Sequence, residues 1–121
     1  MDNQAAEKIT ADWISAWNRH DLAAILEHYA DTIVFTSPFV VKLMGDASGT
    51  FRGKEALRVY FTKGLAAYPD LKFKPLAVLA GVNSLVVYYE SVGGRLSAEF
   101  MELDNQGKIT RVQAHYQDPR A

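Results

Sequence analysis

The chain has 121 residues, of which 49% are hydrophobic and 22% are charged, and its formal net charge is −1. This length predicts one domain, 1–121, that buries about two thirds of its unfolded surface in a single core. The balanced charge argues against nucleic acid as a partner, because Lys72 with Lys74 and Arg52 with Lys54 are only local pairs among acids. The absence of cysteine removes disulfides, thiolate catalysis and cysteine-type zinc sites.

The N-terminal segment, MDNQAAEK, is polar and has none of the apolar character of an export signal. No stretch approaches the run of about 18 apolar residues that crosses a membrane. We therefore expect a cytoplasmic protein without membrane contact.

The first third of the chain carries helical periodicity twice and then a short strand. Apolar residues recur at helical spacing over 5–18, which predicts an amphipathic helix. Asp21 stands where an N-cap belongs, and the apolar residues of 22–29 follow on one helical stripe. The β-favouring residues 33–36 predict a strand that stops at Pro38, because proline cannot donate to a sheet.

The segment 39–52 runs from apolar to glycine-rich and predicts an irregular or hairpin-like cover over an opening. A third helix begins at Gly53 and ends before Pro69, since its apolar residues lie on one stripe. Beyond it the periodicity is two, which predicts strands at about 71–80, 84–92, 95–104 and 108–117. Three helices, one early strand and an antiparallel meander predict an α+β fold.

The pair Gly93-Gly94 predicts a two-residue hairpin turn, which places Tyr88 opposite Glu99. One face of these two strands is then polar, with Tyr88, Glu90, Ser97, Glu99 and Met101. The other face is apolar, with Leu85, Val87, Tyr89, Leu96, Ala98 and Phe100. Hydropathy alone turns the second face inward and leaves the carboxylates in water.

Five short motifs follow one another over nearly the whole chain: AWN-x-x-D-L, Y-A-D, VF-x-x-P, G-K-E-A-L-x-x-Y-F and N-x-G-K-I. Their order and spacing resemble the nuclear-transport-factor-two-like superfamily, and within it the SnoaL-like and steroid delta-isomerase-like branch. The resemblance implies a cystatin-like cone, an α+β barrel in which three N-terminal helices pack in a strongly bent antiparallel sheet and leave a pocket. This superfamily includes isomerases, polyketide cyclases, epoxide hydrolases, dehydratases and non-catalytic modules, so the fold leaves the function open.

The resemblance also turns Glu99 inward, since Glu99 occupies the register at which isomerase-like members carry a carboxylic acid in their oxyanion hole. We favour this orientation over the solvated one. Burial would raise the pKa of Glu99 and allow it to donate or accept a proton. Two other positions depart from the isomerase-like pattern. Ser37 stands in place of the general base, and a serine cannot shuttle a carbon-bound proton unaided at neutral pH. Trp13 stands in place of the donor tyrosine, and its indole can donate one hydrogen bond but cannot act as an acid.

We predict from this comparison a small apolar or aromatic ligand and an acid–base reaction of isomerase, cyclase or dehydratase type. The proposed catalytic residues are Glu99 and Tyr88. The predicted ligand-binding walls comprise Trp13, Phe35, Ser37, Val40, Leu57, Phe61, Met101, Val112 and Tyr116. We expect no cofactor and no metal, because His20, His28 and His115 form no ligand set and no phosphate-binding motif occurs.

The alternative is a non-catalytic ligand-binding or dimerisation module. With Glu99 inward, the apolar face becomes the outside of the cone, and an exposed apolar patch of that size usually marks an interface. We therefore expect a homodimer through the convex sheet face, with contacts from Leu85, Val87, Tyr89, Phe100 and His115. Glu90 lies either beside Glu99 in the pocket or at its mouth in water.

Overall fold

The computed structural model describes residues 1–118, and these form an α+β structure in which four helices pack on one curled six-stranded sheet. The helices are α1 (Asn3–Asn18), α2 (Leu22–Leu26), α3 (Pro38–Met44) and α4 (Lys54–Ala67). The strands are β1 (Tyr29–Thr36), β2 (Thr50–Arg52), β3 (Lys74–Ala80), β4 (Ser84–Glu90), β5 (Leu96–Leu103) and β6 (Ile109–Tyr116). Positions 119–121 of the predicted domain lie outside the described residues.

The first two helices begin at aspartate caps. The Asp2 carboxylate accepts a hydrogen bond from the N–H of Ala5, and that of Asp21 accepts one from Ala24. The predicted first helix is confirmed. The second ends earlier than its apolar stripe, because Tyr29 pairs with Ile109 and begins β1 instead. Within residues 1–118, no helix has the length and hydropathy needed to cross a lipid bilayer.

The segment predicted to be irregular contains a third helix, α3, and the short strand β2. Ser37 caps α3, since its Oγ accepts a hydrogen bond from the N–H of Phe39 at 3.2 Å. Pro38 occupies the first helical position, where a missing N–H costs nothing. Pro38 therefore ends β1, as predicted, and also begins a helix. Gly45, in the left-handed conformation with φ 67°, ends that helix.

The sheet has the strand order β2-β1-β6-β5-β4-β3. The meander from β3 to β6 is antiparallel, as predicted. The prediction of an antiparallel sheet is wrong at one pair, because β1 runs parallel to β6 with Phe35 beside Val112. This pairing joins the first third of the chain to its last strand.

The connection between β4 and β5 is longer than the predicted two-residue turn. It spans residues 91–95, with a 3₁₀ turn at Val92–Gly94, and the N–H of Ser91 donates to the carbonyl of Arg95 at 2.7 Å. Gly93 and Gly94 both adopt positive φ, 68° and 72°. The pairing is therefore displaced by one residue, and a one-residue displacement exchanges the faces of a strand.

As a result, Val87 lies opposite Glu99, and Tyr89 lies opposite Ser97. The inward residues of β4 and β5 are buried and comprise Leu85, Val87, Tyr89, Ser97, Glu99 and Met101. The dimer contacts predicted for Leu85, Val87 and Tyr89 are wrong, because these side chains are at most 1% exposed and belong to the core. Phe100 and His115 do point outward, as predicted.

Candidate functional site

Glu99 lies in the middle of β5, and its carboxyl group points into the interior of the protein. Its strand neighbours on either side are Val87 and Ala114, and its side chain is 3% exposed. The alternation of β5 explains this position, because Ser97, Glu99 and Met101 share one face at period two. The predicted inward orientation of Glu99 is therefore correct.

Tyr89 provides the hydrogen bond that holds this carboxyl group. The Tyr89 hydroxyl donates to Oε1 of Glu99 at 2.9 Å, and both side chains are buried. Within residues 1–118 the carboxyl group accepts no other hydrogen bond, so Oε2 is not engaged by another side chain or by backbone. One oxygen is thus fixed, and the other remains available to a bound molecule.

Burial raises the pKa of Glu99 from its ordinary value of 4.5 to about 7. The physical cause is the loss of water around the charged form, and the Tyr89 hydrogen bond opposes it by stabilising the carboxylate. Both protonation states of Glu99 are therefore populated near neutral pH.

Four tyrosine hydroxyls lie close enough to this carboxyl group to interact with its charge. They are those of Tyr29, Tyr60, Tyr89 and Tyr116. Burial is the main cause that raises the pKa of each, and the nearby Glu99 charge raises all four further. These hydroxyls consequently stay protonated at neutral pH. They are hydrogen-bonding groups around Glu99, not bases.

Trp13 lies beside this group, at the position of the donor tyrosine in the isomerase-like pattern. Its indole Nε1 donates to the Tyr29 hydroxyl at 2.9 Å, so the N–H is already used inside the protein. The Trp13 ring stacks on Phe73 with centroids 5.6 Å apart and meets the Tyr89 ring edge-on at 5.5 Å. Trp13 therefore contributes a rigid aromatic wall and holds Tyr29 in place.

The helices and the inward sheet face border a cavity of about 60 Å³ next to Glu99. Its lining is mostly aromatic and comprises Trp13, Trp17, Phe35, Phe39, Leu43, Tyr60, Phe61, Gly64, Tyr68, Leu71, Phe73, Tyr89, Ser91, Val92, Glu99 and Tyr116. In this lining Glu99 is the one residue that carries a carboxyl group, and lysine, arginine and histidine are absent. The cavity is therefore a largely apolar space with a single carboxyl group.

Five of the predicted site residues line the cavity: Trp13, Phe35, Phe61, Glu99 and Tyr116. Five others are buried elsewhere in the core and do not reach it: Ser37, Val40, Leu57, Met101 and Val112. Ser37 is occupied as the cap of α3. The parity that places a strand residue inward does not distinguish a cavity wall from the packed core behind it.

The predicted position of Tyr88 in the pocket is wrong. Its side chain is 37% exposed on the outer face, and its neighbour Tyr89 takes the place beside Glu99. The displaced hairpin register is the cause. Glu90 also lies on the outer face, where its carboxylate approaches Nζ of Lys74 at 3.8 Å, so it is not a second acid beside Glu99.

The cavity contains several residues that the sequence reasoning missed. Trp17 follows Trp13 by four positions, which is the spacing of one helical face, and both rings reach the lining. Tyr60 lies on the apolar stripe of the helix predicted to begin at Gly53, which is α4. Phe39 and Leu43 come from α3, and the Ser37-Pro38 start signal of that helix would have revealed them.

The histidines are separate from the cavity. His20 Nε2 lies 2.8 Å from the carbonyl oxygen of Leu71, where α1 gives way to α2. Burial lowers the pKa of His28. In the part of the chain that the structure describes, no three His, Cys, Asp or Glu residues converge as a metal site would require.

The SnoaL-like domain family matches residues 10–116 of this chain. A solved SnoaL-like protein of unknown function from Burkholderia thailandensis is 40% identical, with a TM-score of 0.92 over 96% of this chain and 97% of that one. The epoxide hydrolase/cyclase-like enzyme SalBIII, from pyran ring formation in salinomycin, shares the fold at 19% identity, with a TM-score of 0.75 over 97% and 94% of the two chains. Bal32a, from a soil-derived mobile gene cassette, does so at 18% identity, with a TM-score of 0.78 over 98% and 93%.

No curated protein sequence matches the chain. The family match covers the second half of α1, the other three helices, the whole sheet and every lining residue of the cavity. The chain therefore belongs to the SnoaL-like domain family, in the nuclear-transport-factor-two-like superfamily.

Proposed function

We propose that this protein binds a small apolar or aromatic molecule in the cavity and that Glu99 transfers a proton on that molecule. The observation that carries the proposal is a carboxyl group, 3% exposed, in the wall of an aromatic cavity. A carboxyl group placed there without an ion pair is costly to ionise. Proteins that bear this cost commonly use the group in chemistry.

The protonation behaviour of Glu99 suits general acid–base catalysis. Its pKa of about 7 lets it act as an acid in one step and as a base in the next near neutral pH. Tyr89 fixes Oε1, which directs the unengaged Oε2 as the proton-transfer atom. Because one oxygen is held by Tyr89 and the other is unengaged, the carboxyl group is oriented without a second charged residue.

The composition of the lining favours isomerisation among acid–base reactions. Glu99 carries the one carboxyl group in the lining. The hydroxyls of Tyr60, Tyr89 and Tyr116 stay protonated at neutral pH because their pKa values are raised, so they cannot act as bases. The same carboxylate would remove a proton from one carbon and return it to another. A hydroxyl of Tyr60 or Tyr116 would donate a hydrogen bond to the oxygen that gains charge meanwhile.

Solvent deuterium exchange tests this proposal. Small cyclic enones and aryl ketones are incubated with the protein in deuterated buffer, and exchange at carbon next to the carbonyl is followed by NMR. Glu99→Gln keeps the size of the side chain and removes its proton-transfer ability, so we expect at least about a hundredfold loss of exchange. Glu90→Gln is the matched control, since Glu90 lies on the outer face, and it should exchange like the wild type.

A carbon-13 titration of the Glu99 carboxyl group completes this test independently of the substrate panel. Equal exchange by the wild type and Glu99→Gln contradicts proton transfer by Glu99. A Glu99 pKa near 4.5 contradicts it as well, because the group would then be ionised and hydrated throughout the neutral range.

A second candidate function is dimerisation through the outer face of β4 and β5. Val86, Tyr88 and Phe100 form an apolar strip there, with Tyr88 37% exposed. Glu102 and Arg111 border the strip, so the face carries charges of both signs that a second, two-fold-related copy could pair with. Sedimentation of Tyr88→Asp against the wild type tests this, and a wild type that is monomeric at micromolar concentration contradicts it.

A further inference from the structure

Two cationic side chains lie against one aromatic ring of the cavity lining. Nζ of Lys42 is 5.7 Å from the centroid of the Phe39 ring, and the guanidinium carbon of Arg95 is 5.4 Å from the same centroid. Lys42 belongs to α3, and Arg95 follows the connection between β4 and β5. Two separate elements thus bring positive charge to one lining residue.

This arrangement lies where the cavity meets solvent. Lys42 is exposed and Arg95 is half-buried, and cavity-lining residues come from the same two elements, Leu43 beside Lys42 and Val92 before Arg95. Within residues 1–118, Lys42 makes no ion pair, and its Nζ donates one hydrogen bond, to the Tyr68 hydroxyl at 3.4 Å. A single aromatic ring provides at most a weak attraction for a cation at an exposed site.

The charged and the acidic parts of the site are separated by aromatic side chains. The Phe39 ring meets the Tyr116 ring edge-on, with centroids 4.7 Å apart. Tyr116 in turn lies close enough to Glu99 for the carboxylate charge to raise its pKa. A molecule that spans this path therefore meets cations at the mouth, aromatic rings along its length and Glu99 at the inner end.

We propose that the ligand is an aromatic carboxylic acid, whose ring lies in the cavity and whose carboxylate binds at the mouth between Lys42 and Arg95. Its other end carries a carbonyl or hydroxyl group that reaches Glu99. The proposal rests on the proposed function of the cavity as a ligand site and adds the charge of the ligand.

The size of the cavity adds a requirement. Its volume of about 60 Å³ is smaller than the roughly 150 Å³ that accepts benzene in an engineered apolar cavity. A ring therefore enters only when side chains at the mouth move apart. These side chains would be Leu43, Tyr68 and Val92, which are half-buried lining residues there.

Isothermal titration with two isosteric probes, 4-acetylbenzoate and 4-acetylbenzamide, tests the charge of the ligand. Both carry a ketone for Glu99, and only the first carries the anion. In the wild type we expect the acid to bind about tenfold more tightly than the amide. This is the gain in affinity expected from two partly solvated ion pairs of its carboxylate with Lys42 and Arg95. The preference should weaken as salt is added, because exposed pairs are screened.

Charge-removing variants assign this preference to the two cations. In Lys42→Gln and Arg95→Gln the ratio of the two affinities should fall to about threefold or less, while the amide binds as before. Lys8→Gln, at an exposed position of α1, removes the same charge elsewhere and should keep the full ratio.

Equal binding of the two probes overturns the proposal and leaves the cavity as a ligand site intact. A preference for the acid that survives both glutamine variants overturns it as well. Binding of neither probe also overturns it. The Glu99 titration, which needs no ligand, then decides separately whether the proposed function stands.

Discussion

Asn18 and Phe73 are joined by two hydrogen bonds between one side-chain amide and one backbone residue. Nδ2 of Asn18 donates to the Phe73 carbonyl at 2.9 Å, and the N–H of Phe73 donates to Oδ1 of Asn18 at 2.7 Å. These bonds attach the end of α1 to the segment before β3. They also hold the Phe73 ring against Trp13 and Trp17 in the cavity wall.

Replacement of Asn18 by alanine should lower the free energy of unfolding by about 1–3 kcal/mol, because it removes two hydrogen bonds and leaves a partly buried N–H and carbonyl without partners. Urea denaturation measures the change. Asn105→Ala, at an exposed turn position, serves as the control and should stay within about 0.5 kcal/mol of the wild type. An equal effect of both changes would contradict a structural role for Asn18.

The raised pKa of Glu99 makes stability depend on pH. The folded protein binds this proton up to about pH 7, whereas the unfolded chain releases it near 4.5. The contribution is therefore fully present below pH 4.5 and is lost as pH rises through 7, by a total of about 3 kcal/mol. Glu99→Gln should lack this decline and should be the more stable protein at high pH.

The comparison must be made as a difference between wild type and Glu99→Gln across this pH range. His28 acts in the opposite direction, since its lowered pKa contributes stability that is present above 6.5 and lost as pH falls. Subtraction of the two curves removes that contribution. Parallel curves would mean that Glu99 has a normal pKa in the folded state.

Tyr89→Phe should raise the pKa of Glu99 above 7. The Tyr89 hydroxyl donates to the carboxylate and thereby favours the charged form, so its removal leaves the burial effect unopposed. One hydrogen bond to a charged group corresponds to about one pKa unit. Carbon-13 NMR of the Glu99 carboxyl group follows the shift.

Tyr88→Phe is the control for this measurement, because Tyr88 is the adjacent tyrosine on the outer face. It should leave the titration of Glu99 unchanged. The hairpin register described above would be contradicted if Tyr88→Phe moved the pKa of Glu99 and Tyr89→Phe did not.

Two glycine substitutions should change stability in opposite directions. Gly64 has ordinary helical geometry in α4, and an added Cβ meets nothing within 4 Å, so Gly64→Ala should stabilise by about 0.5–1 kcal/mol. Gly94 also has room for a Cβ, but its φ is 72°, so Gly94→Ala should destabilise by about 1–2 kcal/mol. Thermal unfolding compares the two, and the same sign for both would contradict this distinction.

The elements that were predicted well are those with local signals. The helix periodicity of α1 and the aspartate cap Asp21 act within a few residues of their own position. The alternation in β6, with Val112 and Ala114 inward, is equally local. The meander follows from such segments because consecutive strands pair across short turns.

The elements that were missed depend on distant contacts or on the number of residues in a turn. Two adjacent glycines are compatible with a two-residue turn, but they are equally compatible with the left-handed positions of a longer connection. The turn at Val92–Gly94 has one more residue than predicted, and this directs Tyr88 away from the cavity. Tyr29 fits a helical stripe, but its pairing with Ile109 of β6 places it in a strand. No pattern near Tyr29 reports that pairing.

The parallel contact between β1 and β6 also determines when the molecule becomes able to fold. The strand that emerges from the ribosome after the other five occupies an inner position in the sheet, between β1 and β5. Until it arrives, the edges of β1 and β5 that pair with it have no partner strand. Assembly of the whole structure is therefore delayed to the end of translation of this region, and a chain interrupted before Ile109 should aggregate rather than fold.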